Sequence, residues 1–215
     1  MATKTSWQLE LPAADTTLQL GARPLVMGVL NLTPDSFSDG GHFLEVEAAV
    51  AHAERLLADG ADLLDLGAES TRPGGGVYGT GARDVPASEE LDRLLPVLDA
   101  VRTRWPDVPL SVDTRKGAVA RRALEHGADL INDVGGLSDP EMVEVMTQAA
   151  CPIVLMHSRG ELGTMQTTID FADVVAEVRD DLAAAVDRAA AAGVARDRLI
   201  LDPGLGFGKT APQNL

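Results

Sequence analysis

The chain has 215 residues, 45% apolar and 24% charged, the balance of an ordinary globular domain or a small fused pair. Eighteen basic against 33 acidic side chains give a net charge of −15, a field that disfavours nucleic acid and anionic membranes while leaving room for a small anionic substrate held by local cations. One cysteine, Cys151, allows no internal disulfide, no secretory signal is expected in the polar Met1–Trp7, and no apolar run approaches the ~20 residues that cross a bilayer, so a cytoplasmic protein is expected.

In chain order, Trp7–Leu11 and Leu18–Leu20 alternate as strands across a Pro-Ala-Ala-Asp turn, predicting a small hairpin within a 1–22 lead. Pro24–Leu30 reads as a buried strand closed by Asn31. Val46, Ala49, Val50, Ala53, Leu56 and Leu57 keep a helical period, predicting a helix over Glu45–Asp59 that stops at Gly60. Ala61–Leu66 is a strand, Ser70–Pro86 a Gly-rich loop, and a helix follows from Ser88 with Leu91, Leu94, Leu95, Leu98 and Val101 on one face. Then come a strand at Pro109–Val112, a helix at Lys116–His126, a strand at Asp129–Ile131 and a helix start at Ser138-Asp-Pro-Glu141, with Ser138 as cap. Pro152–Met156 is a strand, Asp170–Ala192 a long helix, and Leu199–Leu201 a further strand. Strict strand–helix alternation predicts a parallel sheet covered by helices. Gly60-Ala-Asp-Leu-Leu-Asp65 is echoed by Gly127-Ala-Asp-Leu-Ile-Asn132, which supports repeated units.

Asn31, Asp65, Asp113, Asn132, His157 and Asp202 each follow an apolar strand core. In a parallel barrel those carboxyl ends meet at one rim, where barrel enzymes place their sites. His157 reads equally as a rim group or as a satisfied core histidine. Four aromatics, Phe37, Phe43, Tyr78 and Phe207, fall in loops on that rim, and with the amides and carboxylates they suit a flat, hydrogen-bonding heterocycle.

Three loops could carry chemistry. Asn31-Leu-Thr-Pro-Asp-Ser-Phe-Ser-Asp-Gly-Gly41 is turn-rich, and Asn31 offers a neutral oxygen to a hard cation or a phosphate. Glu69-Ser-Thr-Arg-Pro-Gly-Gly-Gly76 holds the parts of an anion cradle, or else a capped turn with an exposed arginine. Asp202-Pro-Gly-Leu-Gly-Phe-Gly-Lys-Thr210 fails the phosphate-loop and dinucleotide spacings. Cys151 reads as a small buried hydrophobe, and His42, His52 and His126 lack metal-ligand spacing.

The first two loops, with Ser-Val-Asp-Thr at 111–114, Ile-Asn-Asp-Val at 131–134, Leu-Met-His at 155–157 and Asp-Pro-Gly-x-Gly-Phe-Gly-Lys at 202–209, resemble the signatures of dihydropteroate synthase over residues 23–215. The resemblance implies an α/β fold of the (β/α)8 TIM-barrel type that joins 6-hydroxymethyl-7,8-dihydropterin diphosphate to p-aminobenzoate. The products are dihydropteroate and diphosphate, in folate biosynthesis, with sulfonamides competing at the aminobenzoate site. It implies that Asp113, Asn132 and Asp202 meet the pterin edge with Met156 beside them, and that Asn31 stands near Mg²⁺ and the diphosphate. Thr71 and Arg72 would belong to the second loop's contacts, while Phe37, Asp39, Pro73 and Phe207 would close over the aminobenzoate. Phe37, Asp39, Thr71 and Arg72 are the candidate catalytic groups. Only six of the eight βα units are expected before Leu215, which leaves out the family's strand-seven lysine and its Arg-x-His pair. Family members commonly pair as homodimers. Two alternatives are a pterin-binding barrel that transfers a methyl group and a shortened, non-catalytic pterin-binding copy.

Overall fold

In this computed structural model, which describes residues 6–33, 42–70, 84–159 and 169–215, six strands lie parallel in strict chain order. They are β3 (Met27–Asn31), β4 (Leu63–Gly67), β5 (Leu110–Asp113), β6 (Leu130–Asp133), β7 (Ile153–Met156) and β8 (Leu199–Asp202). Between them run helices α1 (His42–Ala58), α2 (Ala87–Arg104), α3 (Gly117–Glu125), α4 (Pro140–Gln148) and α5 (Val174–Ala191). Parallel neighbours need a crossover, and here every crossover leads to the adjacent strand without a reversal of order. A doubly wound sheet would reverse; an unreversed order is an arc of a β/α barrel. The partial barrel expected from the sequence is therefore the architecture present. β1 (Trp7–Leu11) and β2 (Thr16–Leu20) form a separate antiparallel hairpin.

The sheet has two unlike faces. Leu30, Leu64, Leu66, Leu110, Val112, Ile131, Ile153 and Leu155 point outward and pack on helical residues such as Ala49, Ala53, Leu98, Ala120 and Met142. Each such aliphatic side chain stabilises the fold by ~1.5–3 kcal/mol on burial, so this layer supplies most of the cohesion. The inward face holds a smaller apolar cluster, Leu63, Leu130 and Val154 backed by Leu25, Met27 and Ile200. That cluster lies in the lower rows on β3, β4 and β6 and reaches the row above only through Val154 and Ile200 on β7 and β8, while polar residues take over toward the strands' carboxyl ends.

Two helix starts differ from the expected ones. Asp139, not Ser138, caps α4: its Oδ1 accepts from the Glu141 N–H at 3.0 Å, while its Oδ2 accepts from the Gly117 N–H at 2.7 Å. The aspartate thus ties two helix starts together, which a serine hydroxyl could not do. α5 begins at Val174 instead of Asp170, because Asp173 Oδ1 accepts from the Ala176 N–H and Glu177 Oε1 accepts from the Ala172 and Asp173 N–H groups. Those bonds hold the preceding residues in a cap.

The sequence echo has a structural meaning at the amino ends of the strands. Asp62 Oδ2 accepts from the Val26 N–H at 2.8 Å and pairs with Arg23; Asp129 Oδ2 accepts from the Leu110 N–H at 2.8 Å and pairs with Arg102. Each aspartate locks the entry of its strand to the strand before it. Asp129, fully buried, also accepts from the Ala14 N–H at 2.7 Å, which pins the hairpin's turn against this end of the sheet.

Candidate functional site

Side chains alternate faces along a strand, so register decides which groups meet. Asn31 pairs with Gly67, Gly67 with Asp113, Asp113 with Asn132, and Asn132 with Val154, forming one continuous inward row. Met156, two residues beyond Val154, pairs with Asp202. Asn31, Asp113, Asn132, Met156 and Asp202 therefore share the inward face near the carboxyl ends of five different strands. The row beneath runs Val29, Asp65, Ser111, Leu130. Asp65, expected at a strand's carboxyl end, is not there: β4 continues to Gly67 and places it one row deeper.

The electrostatics of these rows are unusual. Asn132 Nδ2 donates to Asp65 Oδ2 at 3.1 Å, passing over β5 to join β6 to β4. Asp65 Oδ1, Ser111 Oγ and Asp113 Oδ1 are buried with no atom at hydrogen-bonding geometry among the described residues. An orphaned polar atom costs ~1–3 kcal/mol, so three on one face mark a surface built to be completed from outside the fold. Burial, reinforced by the charges of Asp65, Glu90, Asp133 and Glu69, holds the Asp113 carboxyl well above the usual carboxylate range. Burial also raises Asp65, against the opposing pull of Ser111 and Asn132.

A second network flanks this face. Glu69 Oε1 accepts from the Val85 N–H at 3.0 Å, and its Oε2 meets Arg115 Nε at 3.0 Å and Lys116 Nζ at 2.8 Å. Lys116 continues to Glu90, which also accepts from the Thr114 hydroxyl at 2.7 Å. Burial works to raise Glu69, yet Arg115 and Lys116 outweigh it and hold the carboxyl below its ordinary value. Glu69 heads the Gly-rich 69–76 motif, where the sequence alone assigns it no role. Its signal was the basic pair Arg115-Lys116, which only the fold brings beside it.

His157 does not join the rim. It follows Met156 and so faces away from the inward row. Its Nε2 lies 3.1 Å from Asp181 Oδ2 on α5, and its Nδ1 lies 3.0 Å from Lys209 Nζ. Burial lowers its pKa, so the ring is neutral, accepts a lysine N–H at Nδ1 and donates from Nε2 to Asp181. Lys209 also donates to the Gly204 and Phe207 carbonyls at 2.9 and 3.1 Å, which uses all three of its N–H groups inside the loop. Gly204 (φ +65°) packs so closely that a Cβ there would lie 2.0 Å from the His157 carbonyl oxygen. Asp202 Oδ1 accepts from the Gly204 N–H at 2.7 Å, so the loop also sets this rim carboxylate. Phe207, on the same loop, is half-buried. Arg159 ties the end of β7 to α5 through Glu177 and Asp181, with its guanidinium 4.2 Å over the Phe171 ring.

Phe37, Asp39, Thr71, Arg72, Pro73 and Tyr78 lie outside the described residues. Cys151 is buried, and burial pushes its thiol up to about 11, which leaves it protonated and inert. Among the described residues no helix is long and apolar enough to cross a membrane.

Comparison with known proteins agrees with this arrangement. The family model for pterin binding enzymes matches residues 27–215. The dihydropteroate synthase of Synechocystis sp. is 45% identical over 206 residues, covering 95% of this chain and 68% of its own length. That of Escherichia coli is 43% identical, covering 96% and 70%. Among solved structures, Xanthomonas albilineans dihydropteroate synthase with 4-aminobenzoic acid superposes with a TM-score of 0.85 at 46% identity, covering 98% of this chain and 71% of that one. A Yersinia pestis dihydropteroate synthase in complex with a sulfonamide drug gives 0.84 at 42% identity, covering 98% and 72%.

Proposed function

This chain belongs to the pterin-binding enzyme family, among the dihydropteroate synthases, and from that premise we propose how its own residues serve the reaction. The family's transferase condenses 6-hydroxymethyl-7,8-dihydropterin diphosphate with p-aminobenzoate in folate biosynthesis. Asp113, Asn132 and Asp202 receive the pterin edge, whose amino and ring N–H groups supply the donors that the buried acceptors lack. Met156, 6% exposed, gives the ring an apolar wall beside them. The observation that carries this reading is the orphaned Asp113 Oδ1, enclosed yet unpaired on the shared inward face.

The chemistry asks for little acid–base help. The bond from the pterin methylene to the diphosphate oxygen breaks, the bond to the arylamine nitrogen forms, and the arylamine's surplus proton passes to water. Thr71 and Arg72 bind the departing diphosphate, and Phe37, Asp39, Pro73 and Phe207 close around the aminobenzoate. Such a step depends on positioning and on charge neutralisation at the leaving group.

Mg²⁺ fits the donor set in one specific way. Among the described residues no three His, Cys, Asp or Glu side chains gather as a cage. Asn31, exposed at the carboxyl end of β3, offers a single hard oxygen. That suits a cation which keeps water and substrate phosphate oxygens in most of its shell. When bound, it neutralises charge on the diphosphate. The family reading also carries a cytoplasmic location and a homodimeric assembly.

Titration calorimetry of the chain with 6-hydroxymethyl-7,8-dihydropterin diphosphate, with and without Mg²⁺, tests the reading. Mg²⁺-linked binding that Asp113→Ala weakens by about a hundredfold is expected. Equal affinity in that variant would overturn it.

A further inference from the structure

Asp65 is 4% exposed and lies one row beneath the rim, with Oδ2 engaged by Asn132 and Oδ1 unpaired. A buried acid with half its acceptor capacity unused is a costly way to hold two strands together, since an apolar pair would do so more cheaply. Its effect on Asn132 is what an apolar residue could not supply. A carboxamide can turn either end toward a ligand, the carbonyl accepting or the NH₂ group donating. A carboxylate beneath it, in its ionised form, can only accept. Asn132 therefore gives its Nδ2 to Asp65 and keeps Oδ1 for a ligand, on the strand position paired with Asp113.

We propose that Asp65 is a positioning residue for pterin recognition: by accepting from Asn132 Nδ2, it fixes that carboxamide with its oxygen outward, so the rim offers adjacent acceptors to a ring edge made of donors. This deepens the pterin reading above and rests on it. The substrate class follows from the chemistry. Rings with an exocyclic amino group next to a ring N–H are accepted, and rings with a carbonyl in place of that amino group are rejected, because the carbonyl would face an oxygen. Ser111, paired with Asp65 across β4 and β5, adds its own pull on the acid from the neighbouring strand, while Asn132 Nδ2 is the donor 3.1 Å from Asp65 Oδ2.

Asp65→Asn keeps the shape and removes the constraint, because an amide at 65 can meet either end of Asn132. Calorimetry on the full chain would use 6-hydroxymethyl-7,8-dihydropterin diphosphate, its analogue carrying oxygen in place of the 2-amino group, and inorganic diphosphate. The variant is expected to bind the pterin about tenfold more weakly and to discriminate less between the two rings. Its diphosphate affinity and melting temperature should hold or rise, which a purely structural role would not produce. The exchange of both residues, Asp65→Asn with Asn132→Asp, reverses the direction of that bond but still leaves an acceptor outward, and should recover most of the lost affinity and discrimination. It also decides the matter should the single variant fail to fold. Wild-type affinity and discrimination in Asp65→Asn, or a folded double variant that recovers neither, would overturn the inference. A wild-type chain that binds no pterin would instead overturn the reading beneath it.

Discussion

Asp129 and Asp113 are both enclosed, both acidic and both borne on the parallel sheet, at its opposite ends. At the amino end, Asp129 accepts from the Ala14 and Leu110 N–H groups and from Arg102, so the fold itself fills the carboxylate. At the carboxyl end, Asp113 keeps an enclosed oxygen that finds no partner among the described residues and is crowded by other carboxylates. Burial alone therefore does not separate a structural acid from a functional one. The separation lies in whether the fold has already met the group's hydrogen-bonding demand.

The comparison breaks most easily at its structural end. Asp129→Ala takes the carboxylate partner from Arg102 and leaves two backbone N–H groups without their acceptor, and should cost about 3–5 kcal/mol in chemical denaturation. A loss under about 1 kcal/mol would show that Asp129 is not the lock described here. Asp133 gives a finer test, since it accepts from the Gly135 and Leu137 N–H groups at 2.8 and 2.6 Å and yet burial raises its pKa to about 6. A carboxyl raised on folding favours the folded state while protonated, so its contribution is complete below about pH 4 and is lost as pH rises through about 6. The stability of the wild type minus that of Asp133→Asn should fall by about 2–3 kcal/mol between pH 4 and 7, and a flat difference would contradict the assignment. The smallest effect has the opposite sign. Asp113→Asn removes a carboxylate crowded by its neighbours and should raise stability by about 1 kcal/mol at neutral pH, measured by thermal or urea unfolding. Destabilisation there would place Asp113 with Asp129 among the satisfied acids.

Much of this was legible in the sequence. Hydrophobic periodicity and strand–helix alternation located the six parallel strands, and the family resemblance supplied the barrel. The polar letters Asn31, Asp113, Asn132 and Asp202 could be read as one rim because each follows an apolar core. What could not be read depends on register and direction. Asp65 reads as a strand end until the β4–β5 pairing places it a row lower. His157 adjoins Met156 in sequence yet faces α5, since neighbouring strand residues point apart. Ser138 and Asp139 are both good caps on paper, and only the proximity of Gly117 decides between them. Glu69 gained a role once Arg115 and Lys116 folded back onto it from the end of β5.

The repeated word Gly-Ala-Asp-Leu-x-Asp/Asn also ends in two different letters, and those letters touch. Had both copies kept the acid, two carboxylates would face each other across β5 in a space with no room for counterions. Changing one to its amide, a difference of a single atom, turns mutual repulsion into a bond. A barrel assembled from near-identical units can thus acquire chemistry by letting its copies drift apart at their last position while their third stays the same.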